Sequence, residues 1–246
     1  MPPIRTAKTN DSSAIQNPIA LLPKKRLLKP ITTGVKDAHF YNSERDWDGK
    51  YHRVIGTSTR NITLGSDFVL TDDHIDDLLV LAKPVLQKIV KFIFTYKDVS
   101  YGAKNTAKDL TNEAVIRLAQ ACPSLKIVQL PGTHLNDDGL LGLLKNCDKL
   151  TIVELTGTSG TKREKSSGKA LDELREHPEW VPKLKQLSLE EKEDNKLFMK
   201  AMRALTKERI GLTVVLVTRN EYKKWGDWEL EERRETYKKG RKQSRW

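Results

Sequence analysis

The chain has few of the residues that mark a protein by its chemistry. Its 246 residues include only two cysteines, Cys122 and Cys147. That is too few for a disulfide framework, and it points to a reducing compartment. Five scattered histidines and two cysteines show no metal-ligand spacing, so no metal site is expected. No apolar run approaches the ~18–20 residues that a membrane span needs. The longest apolar stretches, as over 78–94, are broken by Lys or Asp. No uninterrupted apolar core follows a basic start, which excludes a secretory signal. A phosphate loop is also missing. With Gly168-Lys169 in place, the motif asks for glycine at 163 and Ser or Thr at 170, where the chain has Arg163 and Ala170.

Catalytic groupings are absent in the same way. Asp72-Asp73 with Asp76-Asp77 is an acidic cluster, but its place at a helix start is explained by capping and solvation. His74 and His134 have no evident partner, and His134 beside Asp137 and Asp138 reads as polar surface rather than an acid–base pair. The sequence therefore predicts neither an enzyme nor a cofactor.

What is present is charge, unevenly placed. The formal net charge is +11. Residues 1–36 carry +6 and residues 219–246 carry +4, which leaves the body close to neutral. Basic ends attract nucleic acid, acidic proteins or an anionic membrane surface; the plain alternative is that they serve solubility. The N-terminal segment, rich in Pro, Ser, Thr and Lys, reads as disordered. Lys24-Lys25-Arg26 within it reads as a nuclear-import or docking patch. The low acid content also permits a mitochondrial presequence, but Pro18, Pro23 and Pro30 argue against the helix one requires, so the cytoplasm or nucleus is the expected location.

The second feature is a repeat. The segment over 110–125 resembles the segment over 135–150 at a constant shift of 25: Leu110 matches Leu135, Val115 matches Leu140, Leu118 matches Leu143, Cys122 matches Cys147 and Leu125 matches Leu150. Each copy runs into a short L-x-x-L-x-L strand, Leu125/Val128/Leu130 and Leu150/Val153/Leu155. The template recurs at Ile89/Phe92/Phe94 and Leu184/Leu187/Leu189, and more weakly at Thr59/Ile62/Leu64 and Gly211/Val214/Leu216. Alternate strand side chains share a face, so the last two residues of each set point inward together. The preceding helix supplies an apolar stripe such as Val115, Leu118, Ala119 and Cys122. Thr71, Thr111 and Asn136, each followed by acids or amides, mark helix starts. One strand and one helix cannot bury their faces alone, but stacked copies can.

The run from Cys122 through Cys147 resembles the cysteine-containing leucine-rich repeat, a ribonuclease-inhibitor-like class found in F-box leucine-rich-repeat proteins that present substrates to ubiquitin ligases. The resemblance is strong over 108–156 and weaker over 55–218. It implies an α/β solenoid of about five to six repeats, with a curved parallel sheet and helices on the convex side. It also implies that Cys122 and Cys147 are buried packing at helix ends. An F-box is not recognisable, because Leu22-Pro23 is followed by a short basic stretch that Pro30 ends.

The expected organisation is a disordered basic tail (1–36), an N-terminal cap containing Trp47, Tyr51 and Val54 (37–58), the solenoid (59–218), and a C-terminal cap with a basic tail (219–246). In that last segment Asp227 is placed to cap a helix over 228–239, Trp225 and Trp228 to cover the solenoid end, and Lys238, Lys239, Arg241 and Lys242 to lie in a flexible tail.

Two surfaces are candidates for function. Two long strand-to-helix loops would project from one edge. One carries Tyr96, Lys97, Tyr101, Lys104 and Lys108, the other Lys162, Arg163, Lys165 and Lys169. Basic residues with aromatics suit an acidic partner, either RNA or an acidic protein segment; the alternative is two tolerated surface loops. The concave face, with Lys91, Gln129, Glu154 and Ser188 among its outward positions, is mixed in character and suits a protein partner better. The functional expectation is a protein-interaction scaffold or adaptor, acting as a monomer or as a subunit of a hetero-complex. The alternative is an RNA- or ribonucleoprotein-associated factor using the basic segments.

Overall fold

The computed structural model describes residues 33–97, 99, 104–157, 167–190 and 195–243. Lys24, Lys25, Arg26, Tyr101, Lys162, Arg163 and Lys165 lie outside the described residues, as does most of the expected N-terminal tail.

The architecture is α/β: a nine-stranded sheet, seven strands of it parallel, whose strands follow one another in space in strict sequence order. The parallel strands are β1 (Asp37–Asn42), β2 (Asn61–Asp67), β3 (Lys91–Phe94), β4 (Ile127–Pro131), β5 (Ile152–Thr156), β6 (Gln186–Glu190) and β7 (Thr213–Lys224). Between them run α1 (Tyr51–Val54), α2 (Asp72–Leu79), α3 (Lys83–Leu86), α4 (Asn112–Ala121), α5 (Asp137–Asn146), α6 (Lys169–Glu176) and α7 (Lys196–Glu208), with a π-helical turn, Ser43–Trp47, after β1. No described helix is long and apolar enough to cross a membrane.

The six template strands fall where the repeat predicts. Their inward residues stack in register as an apolar ladder, Ile62 beside Phe92, then Val128, Val153, Leu187 and Val214. All are buried against the helices. Burying each such side chain contributes roughly 1.5–3 kcal/mol, and the contribution depends on the neighbouring repeat being present. Cys122 and Cys147 end α4 and α5 and are buried, and the Cys147 thiol faces the carbonyl oxygens of Ala119 at 3.5 Å and Cys122 at 3.6 Å. Burial pushes both thiols up to about 12, so they remain protonated and unreactive at neutral pH.

The polar residues at the helix starts also act between successive helices. Asp72, the first residue of α2, accepts from the Thr111 N–H at 2.8 Å and hydroxyl at 2.7 Å. Asn112, the first residue of α4, accepts from the Asn136 N–H at 3.1 Å. Asp137, the first residue of α5, accepts from the Ser167 N–H at 2.8 Å and hydroxyl at 2.7 Å. The starts of α2 and α4 thus hold the N-caps Thr111 and Asn136, and the start of α5 holds the residue before the N-cap Gly168 of α6. His74 also has partners: its Nδ1 accepts from the Thr71 N–H at 3.2 Å, and burial lowers its pKa.

Both ends depart from the sequence-based picture. The segment over 37–58 does close the N-terminal side, with Trp47 stacked on Tyr51 at 5.0 Å and its indole N–H donating to Asp77 at 3.0 Å. It also supplies a full parallel strand, since Ala38 and Phe40 continue the ladder beside Ile62 and Leu64. At the other end the helix expected over 228–239 is a strand. β8 (Asp227–Lys238) pairs antiparallel with β7 along its length, and the short β9 (Arg241–Lys242) follows. The physical reason is that β7 would otherwise present a long unpaired edge, whereas a helix of this composition has no continuous apolar stripe to dock. The two-residue turn Trp225-Gly226, with φ of 53° and 92°, closes the hairpin.

Candidate functional site

The sheet face opposite the helices is partly open over β1–β4 and closes toward the C-terminus. β7 is hydrogen-bonded to β6 through Val217 and then leaves the sheet. Its far half, with β8, crosses back over the open face. Arg219 reaches β5 and Glu221 reaches the end of β3.

Arg219, only 3 % exposed, anchors this crossing. One terminal nitrogen donates to the Thr156 hydroxyl. The other lies 2.9 Å from Glu154 and 2.7 Å from Glu232. Glu154 also accepts the Gln129 amide at 3.1 Å, and Arg234 sits 2.5 Å from Glu232 and 3.9 Å from Glu154. Two guanidinium groups and two carboxylates thus balance. Burial alone would raise the Glu232 carboxyl, but the hydrogen bonds and charges of Arg234 and Arg219 outweigh it and hold Glu232 below the usual carboxylate range. Such a network gives little net stability, but breaking it is costly, so it fixes where the hairpin lies.

The second anchor is Tyr96. Its ring packs on Gly132, where a Cβ would come within 2.8 Å of it, and its hydroxyl donates to Glu221 at 2.6 Å. Burial, then that hydrogen bond, push its phenol well above the ordinary value. Tyr96 is therefore not the exposed aromatic the sequence suggested.

Between the sheet and the hairpin runs an open groove of about 480 Å³. Ile93, Thr95, Lys97, Gln129 and Pro131 line the sheet side, and Leu230, Glu232 and Arg234 the hairpin side. Beyond it the hairpin end is aromatic: Trp225 is 94 % exposed, with Trp228 and Tyr222 exposed near it. Neither tryptophan covers the end of the sheet, contrary to expectation.

Of the four expected open-face residues, Lys91 and Gln129 are half-buried and accessible, while Glu154 and Ser188 are buried. The loop lysines are not gathered into one basic edge among the described residues. Lys97 is exposed on the groove rim, and Lys104 pairs with Glu44 at 3.1 Å. Lys108 turns with its N–H on the Thr106 hydroxyl, and Lys169 lies 3.9 Å from Glu173 of its own helix. Lys238, Lys239, Arg241 and Lys242 are not a flexible tail: they form the β8–β9 turn, and Lys242 lies 2.5 Å from the buried Glu235.

Arg219, Leu230, Glu232 and Arg234 were not foreseen as site residues, because nothing local distinguishes them. Arg219 meets Glu154 across 65 residues of chain, and only the return of the hairpin joins them. The one signal that could have announced it is Gly226 between two strand-length segments. Among the described residues no His, Cys, Asp and Glu cluster could hold a metal ion. In the groove the acids Glu154 and Glu232 are both committed to guanidinium groups, so the arrangement offers an apolar strip edged by charge-balanced ion pairs, with Lys97 at the rim and no poised acid or base. Compared with known proteins, the chain matches no protein-family model and no curated protein.

Proposed function

We propose that the protein is a leucine-rich-repeat binding module, an adaptor or scaffold rather than an enzyme, that takes a segment of a protein partner along the open face beneath the β7–β8 hairpin. The observation that carries this is the hairpin itself. It is pinned over the open face by Arg219 and Tyr96 and leaves a groove instead of packing flat. The strand ladder at the template positions supports the repeat reading. Ile93 and Leu230 give the groove an apolar strip, Lys97 supplies rim charge and the Arg234–Glu232 pair a polar edge, a mixture that suits a polypeptide.

The test compares the wild-type chain with an Ile93→Glu, Leu230→Glu double variant, each used to recover partners from native extract at low and high salt. Protein partners that persist at high salt on the wild type and disappear from the variant support the reading. A partner set indifferent to the groove substitutions overturns it.

A further inference from the structure

α7 is the last helix in chain order among the described residues. Lys196, Lys200 and Arg203 follow one another at four and three residues, so all three project from one flank. All are exposed, and none meets a carboxylate among the described residues. With Met199 and Tyr237 beneath them they line a recess of about 570 Å³. The β8–β9 turn is seated on the same helix. Its Gly240 N–H donates to the Thr206 hydroxyl at 3.2 Å, and a Cβ on Gly240 would lie 3.3 Å from both the Arg203 carbonyl oxygen and the Lys207 side chain. The turn residues Lys239 and Gly240 have φ of 52° and 75°, the geometry of a two-residue hairpin turn. Lys239 and Arg241, both exposed, flank Gly240 and so reach the Arg203–Lys207 stretch of α7, outside the recess itself.

Lys200 also borders a second recess with Asp172, Glu173 and Glu176 of α6, but these acids are engaged by Arg175, Lys145 and Lys169. Glu235 lies under the sheet edge, held by Lys242 and Arg233, and its carboxyl is lowered first by the Lys242 hydrogen bond. Glu208 of α7 faces Arg175 of α6 at 3.4 Å. The sequence alone places Lys239 and Arg241 in a tail and gives Lys196, Lys200 and Arg203 no role.

We infer that this end of the array binds the phosphate backbone of a single-stranded nucleic acid without regard to sequence. Cations four residues apart on a helix are separated by about 6 Å along its axis, so they form a line rather than a cup around one small anion. That line bends from the helix onto the β-turn, a path a flexible single strand follows more readily than a duplex of ~50 nm persistence length. Met199 and Tyr237 are buried beneath the cations, so the recess offers neither a base-stacking platform nor an apolar wedge for a bilayer. The contact is therefore to phosphates.

The test titrates the full chain into a fluorescein-labelled 20-nucleotide oligouridylate and follows anisotropy from about 50 to 200 mM salt. Each phosphate contact to a single strand contributes roughly −0.7 to the slope of log affinity against log salt. The Lys196→Gln, Lys200→Gln, Arg203→Gln variant should weaken binding at least tenfold at low salt and flatten the slope by about 2. Gln keeps the helix nearly as well as Lys or Arg, and an unchanged unfolding midpoint confirms that the variant is folded. A charge-matched control, Lys88→Gln, Lys149→Gln, Lys183→Gln, should bind as wild type. An unchanged slope in the α7 variant overturns the inference and assigns any binding to other basic segments. Equal or better binding to duplex DNA, phosphatidylserine vesicles or polyglutamate overturns it also. The groove reading above is independent of either result.

Discussion

The guanidinium of Arg219, on β7, reaches two other strands at once: β5 through Glu154 and Thr156, and β8 through Glu232. Replacing it by Ala would leave the buried Glu154 without its closest counter-charge, with only Arg234 at 3.9 Å, which costs about 3–5 kcal/mol. Urea unfolding of Arg219→Ala should show that loss, and a loss under ~1 kcal/mol would mean that the network is not buried as described. The carboxylates also set an acid limit. Glu232 and Glu235 both have folded-state pKa values below the usual carboxylate range. A depressed carboxylate contributes stability that is fully present above its unfolded value, about 4.3, and is lost as pH falls through the lower folded value. The unfolding midpoint should therefore fall as the solution is acidified below about pH 4.3. A Glu232→Gln, Glu235→Gln variant, weaker at neutral pH, should fall less steeply over the same acid range. Parallel curves for the two proteins would count against these assignments.

Among the elements, the β7–β8 hairpin departs furthest from local preference. Its turn holds Trp225 at φ 53°, in the left-handed region, with the side chain almost wholly in solvent. That conformation costs a bulky residue roughly 1–2 kcal/mol, while Asn adopts it readily. Trp225→Asn should raise stability by about 1 kcal/mol, measured by thermal or urea unfolding, and a destabilised variant would show that Trp225 makes contacts its exposure does not reveal. The helices show the opposite balance. Thr111 and Asn136 cap their own helices, and Asp72 and Asn112, each at the start of the preceding helix, hold those caps in turn, so local preference and stacking agree.

At the scale of the molecule, a parallel array of this kind has two ends to protect, and the two are closed differently. The N-terminal end is sealed by β1 and the aromatic group around Trp47. The C-terminal end is sealed by β8 along the edge of β7, with Tyr237 buried under α7. A chain ending at residue 218 would leave the edge of β7 unpaired, with Val215 and Val217 newly uncovered. It should associate or aggregate in size-exclusion chromatography. A monomeric truncation with the full-length unfolding midpoint would show instead that the segment after 218 is dispensable.

The repeat was legible because its physics is local. Val128, Leu130, Val153 and Leu155 sit at strand period, Val115, Leu118 and Cys122 at helical period, and Thr111 and Asn136 at caps, so each short stretch carries its own instruction. Strand positions, the sequential sheet and the burial of both cysteines follow from that. The ends and the groove were not legible. Whether 228–239 becomes helix or strand depends on the unpaired edge of β7, which the segment's own residues do not encode. Tyr96 read as part of an exposed loop, and Glu154 as solvent-facing because alternation says which face a strand residue takes, not what later folds over that face. The basic residues around 238–242 read as a tail until the turn is seen resting on α7. The sequence by itself determined the repeating unit and its core, because those are set by neighbours a few residues away. Only the tertiary structure decided the groove, the Arg219 network and the cationic end, because each requires a long-range return of the chain that no local pattern specifies.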